Sequence, residues 1–379
     1  MAYVDDLQNA SSNTEGLKAA SENLRTLEET KGYTFNTEPN KTAILIVNKK
    51  RNKNYEDIKL NLKKGEIKQT NEYKYLGEWY NDKGDHSTTI KKRESKIGYY
   101  VQQVKVYGND FLLKNYTLNA RLKLYKTIVI PSLYYNIETW STMTQNELKQ
   151  LEGMQYKILR KITEQKQGTP YFGLLAETGV WPVEQQIEIR KIMLLNNIMN
   201  SKRKRLVKEI MEEQMKNPWK NCWIEELGKI IDKYDITIEE VITSNRYDLK
   251  EKAEQKIQEH LEKMLNENTK TKLRFIKEFK KKEYITNMQF QGSIIMMKTR
   301  LNMIEVKCNY KNKYKNNLKC ELCKKEEDNT EHLIFNCEIV HPHKGILDAK
   351  DIETCNERVP REINEILKRR EELGYKISI

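Results

Sequence analysis

Two groups of side chains in this sequence could do chemistry, and they lie near its two ends. At the first, Tyr3-Val4-Asp5-Asp6 sets two carboxylates side by side. Adjacent acids at a turn repel one another unless a cation lies between them. Hard oxygen ligands of this kind hold Mg²⁺ in two-metal phosphoryl transfer, where the ions activate one oxygen and stabilise another. On a hairpin tip Tyr3 would close one strand, and Asp5 and Asp6 would face an incoming nucleotide. Taken alone, the tetrapeptide fits a solvated turn better.

At the second group, Cys320-Glu321-Leu322-Cys323 is followed after eight residues by His332 and after four more by Cys337. Two cysteines at that spacing make a tight turn whose sulfurs converge. A histidine and a cysteine five positions apart converge when they straddle the start of a short helix. Cys320, Cys323, His332 and Cys337 together offer three thiolates and one imidazole, a closed tetrahedral set for Zn²⁺. With no open position left, such a site is structural, and it adds folding energy to a segment too small to fold alone. His341 and His343 are rival ligands, but they follow Cys337 too closely to replace His332 easily. Cys222, Cys308 and Cys355 show no comparable spacing.

The elements that must position these groups can be read from periodicity. Leu17, Ala20, Leu24 and Leu27 predict a helix over residues 14–31, with Gly32 placed to end it. Phe35 to Val47 reads as a strand region, with a buried run from Ile44 to Val47. Tyr73 to Tyr80 alternates aromatic and polar residues, the pattern of a half-buried strand in which Gly77 allows a bend. From Ser87 onward the pattern turns helical. Ile90, Ile97, Val101 and Val104 share a face that Ser87 or Thr88 can cap. Leu118 to Val129 gives a second helix, ended by Pro131. Leu148 to Ile162 gives a third and Val183 to Ile198 a fourth, with breaks at Gly168-Thr169-Pro170 and Gly179-Val180-Trp181-Pro182. Thr237 and Glu240 form a capping box, and Leu249 to Met264 marks one more long helix.

Lysine and arginine number 68 against 55 acids, a net charge of +13 that a polyphosphate partner would select and that a lysine-rich composition also explains. Lys202-Arg203-Lys204-Arg205 is the densest basic run, suited to a phosphate backbone, to a nuclear address or to a solvated helix turn. Lys277, Lys280, Lys281 and Lys282 lie among Phe275, Phe279 and Tyr284. Aromatic residues interleaved with lysine can stack on bases, and core anchoring explains them as easily. Six cysteines in 379 residues do not make a disulfide scaffold. The apolar runs are too short to cross a bilayer and no signal peptide is visible, so the expected location is intracellular, nuclear or cytoplasmic, with no membrane partner.

In order along the chain, these features resemble the C-terminal part of a non-LTR (LINE-type) retrotransposon reverse transcriptase. Tyr3-Val4-Asp5-Asp6 is similar to the polymerase's Y-x-D-D turn, and Asn36 with Lys41-Thr42 to the palm motif that follows. Tyr75-Leu76-Gly77 is similar to the primer-grip hairpin. Leu122 to Trp140, and on to Trp181-Pro182, resembles the thumb and the region beyond it, with Lys298-Thr299-Arg300-Leu301 leading into a zinc knuckle. The resemblance implies that Asp5 and Asp6 are Mg²⁺ ligands and that Lys41 is a general acid toward pyrophosphate. It further implies that Tyr75, Leu76 and Gly77 hold the primer end, and that the knuckle and the basic helices hold template RNA or target DNA.

The expected fold is α+β. A small, partial palm-like antiparallel sheet (1–85) precedes a helical thumb-like region (86–200), a basic helical linker (201–285), a CCHC knuckle region (286–345) and a tail (346–379). Polymerase palms take a third carboxylate from upstream of Y-x-D-D, so the expectation is a fragment inactive by itself, with Mg²⁺ bound only if the site is completed. A non-catalytic nucleic-acid-binding module and an inert translated relic are the alternatives.

Overall fold

The computed structural model describes residues 2–3, 6–47, 58–108, 117–141, 143–202, 206–268, 275–310, 312–314, 317–341 and 347–375. The chain divides into two compact units, Met1–Ser95 and Lys96–Ile379.

In the first unit, the short strands β1 (Ala2–Tyr3) and β2 (Asp6–Leu7) pair antiparallel, with Tyr3 opposite Asp6. Helix α1 (Thr14–Lys31) follows, capped where the Asn13 side chain accepts from the Gly16 N–H at 2.8 Å. Gly32 ends it at φ 68°, in the left-handed region that glycine enters without a Cβ clash. Leu17 and Leu24 of α1 pack with Phe35, Ile46 and Ile58 against a buried cluster of Ile44, Leu60, Leu62 and Ile67. That cluster comes from β3 (Ile44–Leu45), β4 (Leu60–Leu62) and β5 (Gly65–Ile67). Only Ile44–Leu45 of the expected Ile44–Val47 run is strand, and Val47 is exposed.

The strands do not form the single antiparallel sheet that was expected. Among the described residues they pair in twos: β1 with β2, β4 with β5, β3 in parallel with β6 (Gln69–Thr70), and β7 (Glu72–Tyr75) with β8 (Glu78–Asn81). The Tyr73–Tyr80 alternation is therefore a hairpin and not one strand. Leu76 (φ 46°) and Gly77 (φ 86°) form its two-residue turn, and positive φ at both centres gives the twist that matches the flanking strands. Helix α2 (Ser87–Glu94) packs beside β8, where Arg93 meets the buried Glu78 carboxylate at 2.9 Å and Thr89 donates to the Trp79 carbonyl. Its N-cap is His86, which makes no side-chain capping bond; Asp85 just before it accepts from the Ser87 N–H at 3.0 Å, and neither Ser87 nor Thr88 caps the helix, because the helix begins at Ser87 itself.

The second unit is helical. The face expected to run from Ile90 to Val104 is broken after α2, and its later residues belong to α3 (Ile97–Gly108). Helix α4 (Leu118–Leu124) passes through a π turn at Tyr125–Val129 into α5 (Ile130–Leu133). Pro131 does not stop this helix. Its ring would crowd the carbonyl of Thr127, and the wider turn, in which the Ile130 N–H bonds back to the Tyr125 carbonyl, makes the room. Helix α6 (Gln145–Ile162) opens on a Thr144–Glu147 capping box. A short α7 (Tyr171–Thr178) fills the gap between the two predicted breaks, and α8 (Val183–Met199) follows. Leu151, Ile158, Leu174, Leu175, Val183 and Leu195 are buried to the last few per cent. Each such side chain stabilises the fold by about 1.5–3 kcal/mol relative to exposure.

Helices α9 (Leu206–Lys216) and α10 (Trp223–Lys233) lead to α11 (Ile238–Thr243). The Thr237–Glu240 capping box caps this short α11, and the long helix α12 (Arg246–Asn268) starts separately behind it. After α13 (Tyr284–Asn287) and α14 (Phe290–Arg300), Arg300 forms a buried ion pair with Glu177 of α7, 3.0 Å from Nε to each carboxylate oxygen. Tyr284 also donates to Glu177, at 2.7 Å, and Arg300 Nη1 reaches the Ile352 carbonyl in α15 (Ala349–Glu353). A last helix, α16 (Val359–Glu372), lies against α14.

Candidate metal centre

The metal-ligand spacing becomes a cluster because two local turns face each other. The first is the Cys320–Cys323 turn, closed by the Lys324 N–H bonding the Cys320 carbonyl at 2.8 Å, with Lys324 itself left-handed at φ 58°. In such a turn successive backbone N–H groups aim at the sulfurs. Those of Leu322 and Cys323 reach Cys320, and those of Lys325 and Glu326 reach Cys323. The second is one π turn, His332–Asn336, ending at Cys337, whose N–H bonds the His332 carbonyl at 2.8 Å. The isolated bridge between Lys319 and Glu327 and the bond from the Cys320 N–H to the Glu326 carbonyl, 2.8 Å, bring the chain back between the two turns.

The four ligand atoms lie within 4.8 Å of one another. Cys320 Sγ and Cys337 Sγ are 3.9 Å apart, and Cys323 Sγ is 3.3 Å from His332 Nε2. A tetrahedral ion with Zn–S bonds of about 2.3 Å sets its sulfurs about 3.8 Å apart, so this spacing fits Zn²⁺. The donor set fits as well, since Cys320, His332 and Cys337 are buried and Cys323 is half-buried. Burial pushes the Cys320 thiol up to about 12. At Cys323 burial also opposes ionisation, but the N–H groups of Lys325 and Glu326 together with hydrogen bonds from Cys320 and Cys337 hold the thiol below its ordinary value. Ions are thus taken up against protons at these sulfurs.

Sequence reading missed Glu326. Its Oε2 lies 2.9 Å from His332 Nδ1. A carboxylate only accepts, so the bond requires the proton on Nδ1 and leaves the Nε2 lone pair facing the sulfurs, as metal-binding histidines are commonly oriented. His341 is turned away from the cluster, with Nε2 on the Leu333 carbonyl at 2.8 Å. His343 lies outside the described residues.

Asp328, directly after this turn and also missed, is fully buried. It accepts at Oδ2 from the Lys307 N–H (2.8 Å), Arg370 Nη2 (2.9 Å) and the Tyr375 hydroxyl (3.1 Å). The metal turn is thereby fastened to α16. No sequence signal joins Asp328 to Arg370, because the contact is tertiary.

The other anticipated residues are not drawn into this cluster. Tyr3 and Asp6 sit opposite each other in the β1–β2 ladder, while Val4 and Asp5 lie outside the described residues. The Lys41 side chain is exposed, and its carbonyl accepts from the Tyr73 hydroxyl at 2.5 Å. Tyr75 ends β7, and Leu76 and Gly77 form the hairpin turn. Lys202 is exposed just after α8, and Arg203, Lys204 and Arg205 lie outside the described residues. Phe275, Phe279 and Tyr284 are buried, so they anchor the core and do not stack on bases.

Over 109 residues the chain is 28% identical to the RNA-directed DNA polymerase from mobile element jockey of Drosophila funebris. The aligned stretch is 28% of this chain and 11% of that protein. This similarity supports an origin related to retrotransposon reverse transcriptases. No family model matches the chain, and no solved structure matches it. No helix among the described residues is long and apolar enough to cross a membrane.

Proposed function

We propose that this chain is part of a non-LTR retrotransposon reverse transcriptase and contributes nucleic-acid binding through a zinc-stabilised region. The observation that carries the reading is the similarity to the jockey polymerase. The Cys320, Cys323, His332 and Cys337 cluster and the net charge of +13 support it. On this reading residues 1–85 are the end of the palm, residues 86–200 correspond to the thumb, and residues 286–345 are the knuckle region. Zinc, when bound, supplies a four-coordinate crosslink and no catalytic step, since four protein ligands leave no position for substrate. Cys320, Cys323 and Cys337 would hold it as thiolates and His332 through Nε2, with Glu326 keeping the Nδ1 proton in place.

RNA and DNA binding by the purified, zinc-loaded chain tests the proposal. We expect affinity that falls linearly in log K against log salt, as counterion release requires, and that weakens when zinc is chelated. Absence of salt-dependent binding at moderate ionic strength would sink the reading. A catalytic role for Asp5, Asp6 and Lys41 follows from the family resemblance only. In primer extension we expect no nucleotide incorporation by this chain alone. Incorporation that is abolished in Asp5→Ala would instead assign polymerase chemistry to it.

A further inference from the structure

Most lysines in the helical unit that approach other groups are neutralised. Lys277 pairs with Glu353, Lys282 with Glu278, Lys191 with Glu226 and Lys307 with Glu321. Lys126 and Lys281 differ. Lys126, on the π turn, donates to the Gly179 carbonyl at 3.2 Å, and Lys281 donates to the Asn119 side-chain carbonyl at 3.1 Å. Among the described residues neither meets a carboxylate within ion-pairing distance. The two cations also feel each other. Partial desolvation, and then the like charge of Lys281, pull Lys126 below the ordinary lysine range.

This juxtaposition is fixed by the backbone. Gly179 ends α7 at φ 58°, and a Cβ there would fall 2.5 Å from the Lys281 nitrogen, so the chain at Lys281 lies directly on this glycine. The Lys282 N–H bonds the Glu177 carbonyl at 3.2 Å and holds the same strap down. One ammonium at the negative end of α7 satisfies a helix terminus. A second, held close by without a counter-charge, costs free energy that an anion would recover. Each ammonium has three N–H donors and spends one on a neutral oxygen, so both keep donors to offer. Lys123, one turn before Lys126, and Lys280 are exposed beside them.

We propose that Lys126 and Lys281 form a phosphate-binding site at the C-terminal end of α7. The phosphate is that of a nucleic-acid backbone, a source that rests on the function proposed above, or else free inorganic phosphate.

The test uses the full, zinc-loaded chain. A labelled single-stranded RNA is titrated over a salt series by fluorescence anisotropy, and inorganic phosphate is titrated by calorimetry. The double variant Lys126→Gln/Lys281→Gln is compared with Lys277→Gln/Lys282→Gln, which removes the same charge from paired lysines. The first is expected to lose about tenfold in RNA affinity and about 1 in the slope of log K against log salt, and the second much less. Unchanged zinc content and thermal transition show that the variants fold. Lys126→Arg/Lys281→Arg, which keeps both charges, should retain binding if the glutamine pair does not fold.

If RNA binds wild type and the first variant alike, with equal slopes, the site is overturned and the nucleic-acid reading stands. Equal losses in both double variants also overturn it. If RNA does not bind wild type but phosphate does, and that binding is lost with Lys126 and Lys281, the site stands and the nucleic-acid reading fails. If wild type binds neither, both fail.

Discussion

Glu326 shows how one side chain decides what a metal site can hold. Without an acceptor at Nδ1, His332 is free to carry its proton on either nitrogen, and one of the two tautomers blocks the ligand atom. Glu326→Ala should therefore weaken zinc binding about 10- to 100-fold, measured by chelator competition, while leaving four-ligand stoichiometry intact. Loss of stoichiometry would mean that Glu326 is a ligand and not an orienting group.

Glu28 makes a different point at the same scale. The Lys63 N–H contributes most to holding its carboxyl below the ordinary value of 4.5; burial opposes this, and the Phe35 N–H and the charges of Lys63 and Lys64 add to the lowering. Because the folded value is depressed, the stabilisation is present above the unfolded value and is lost as pH falls through the folded one. Urea unfolding from pH 6 downward should show wild type converging on Glu28→Gln in acid. Parallel curves down to the lowest pH would contradict this linkage.

At the scale of elements, two features invite substitution. The β7–β8 turn places Leu76 in a left-handed conformation that costs a branched side chain about 1–2 kcal/mol. Leu76→Asn should stabilise the first unit by about 0.5–1 kcal/mol in chemical denaturation, and destabilisation would show that the leucine's contacts matter more than its backbone strain. The second feature is the clamp of α16 on the metal turn. Asp328→Asn leaves Arg370 buried without its counter-charge, which should cost about 3–5 kcal/mol. Hydrogen exchange should then rise across Val359–Glu372 and the Cys320–Cys337 segment together. Exchange rising in one of them alone would show that the helix and the turn are not one cooperative piece.

For the whole molecule, the division into two units separates the metal from the hairpins. Chelating zinc should accelerate hydrogen exchange in the C-terminal part of Lys96–Ile379 and leave Met1–Ser95 unchanged. A uniform response would mean that the two units unfold as one. Within the long helical part, the buried pair of Arg300 with Glu177 joins α7 to α14 and, through the Ile352 carbonyl, to α15.

What the sequence alone determined is what local spacing controls. The helix over residues 14–31, the Thr237–Glu240 capping box as a helix start, and the four converging ligands all depend on residues within a few turns of each other. Alternation in Tyr73–Tyr80 was legible too, but not that it folds back on itself, because strand and hairpin share one period and only the turn dihedrals separate them. The tertiary structure alone decided that Glu326 faces His332, that Asp328 holds Arg370 and that Lys126 and Lys281 both come to Gly179 at the end of α7. Those pairings join residues through the packing of separate elements, and charged side chains carry no periodic signal of the partner they will meet.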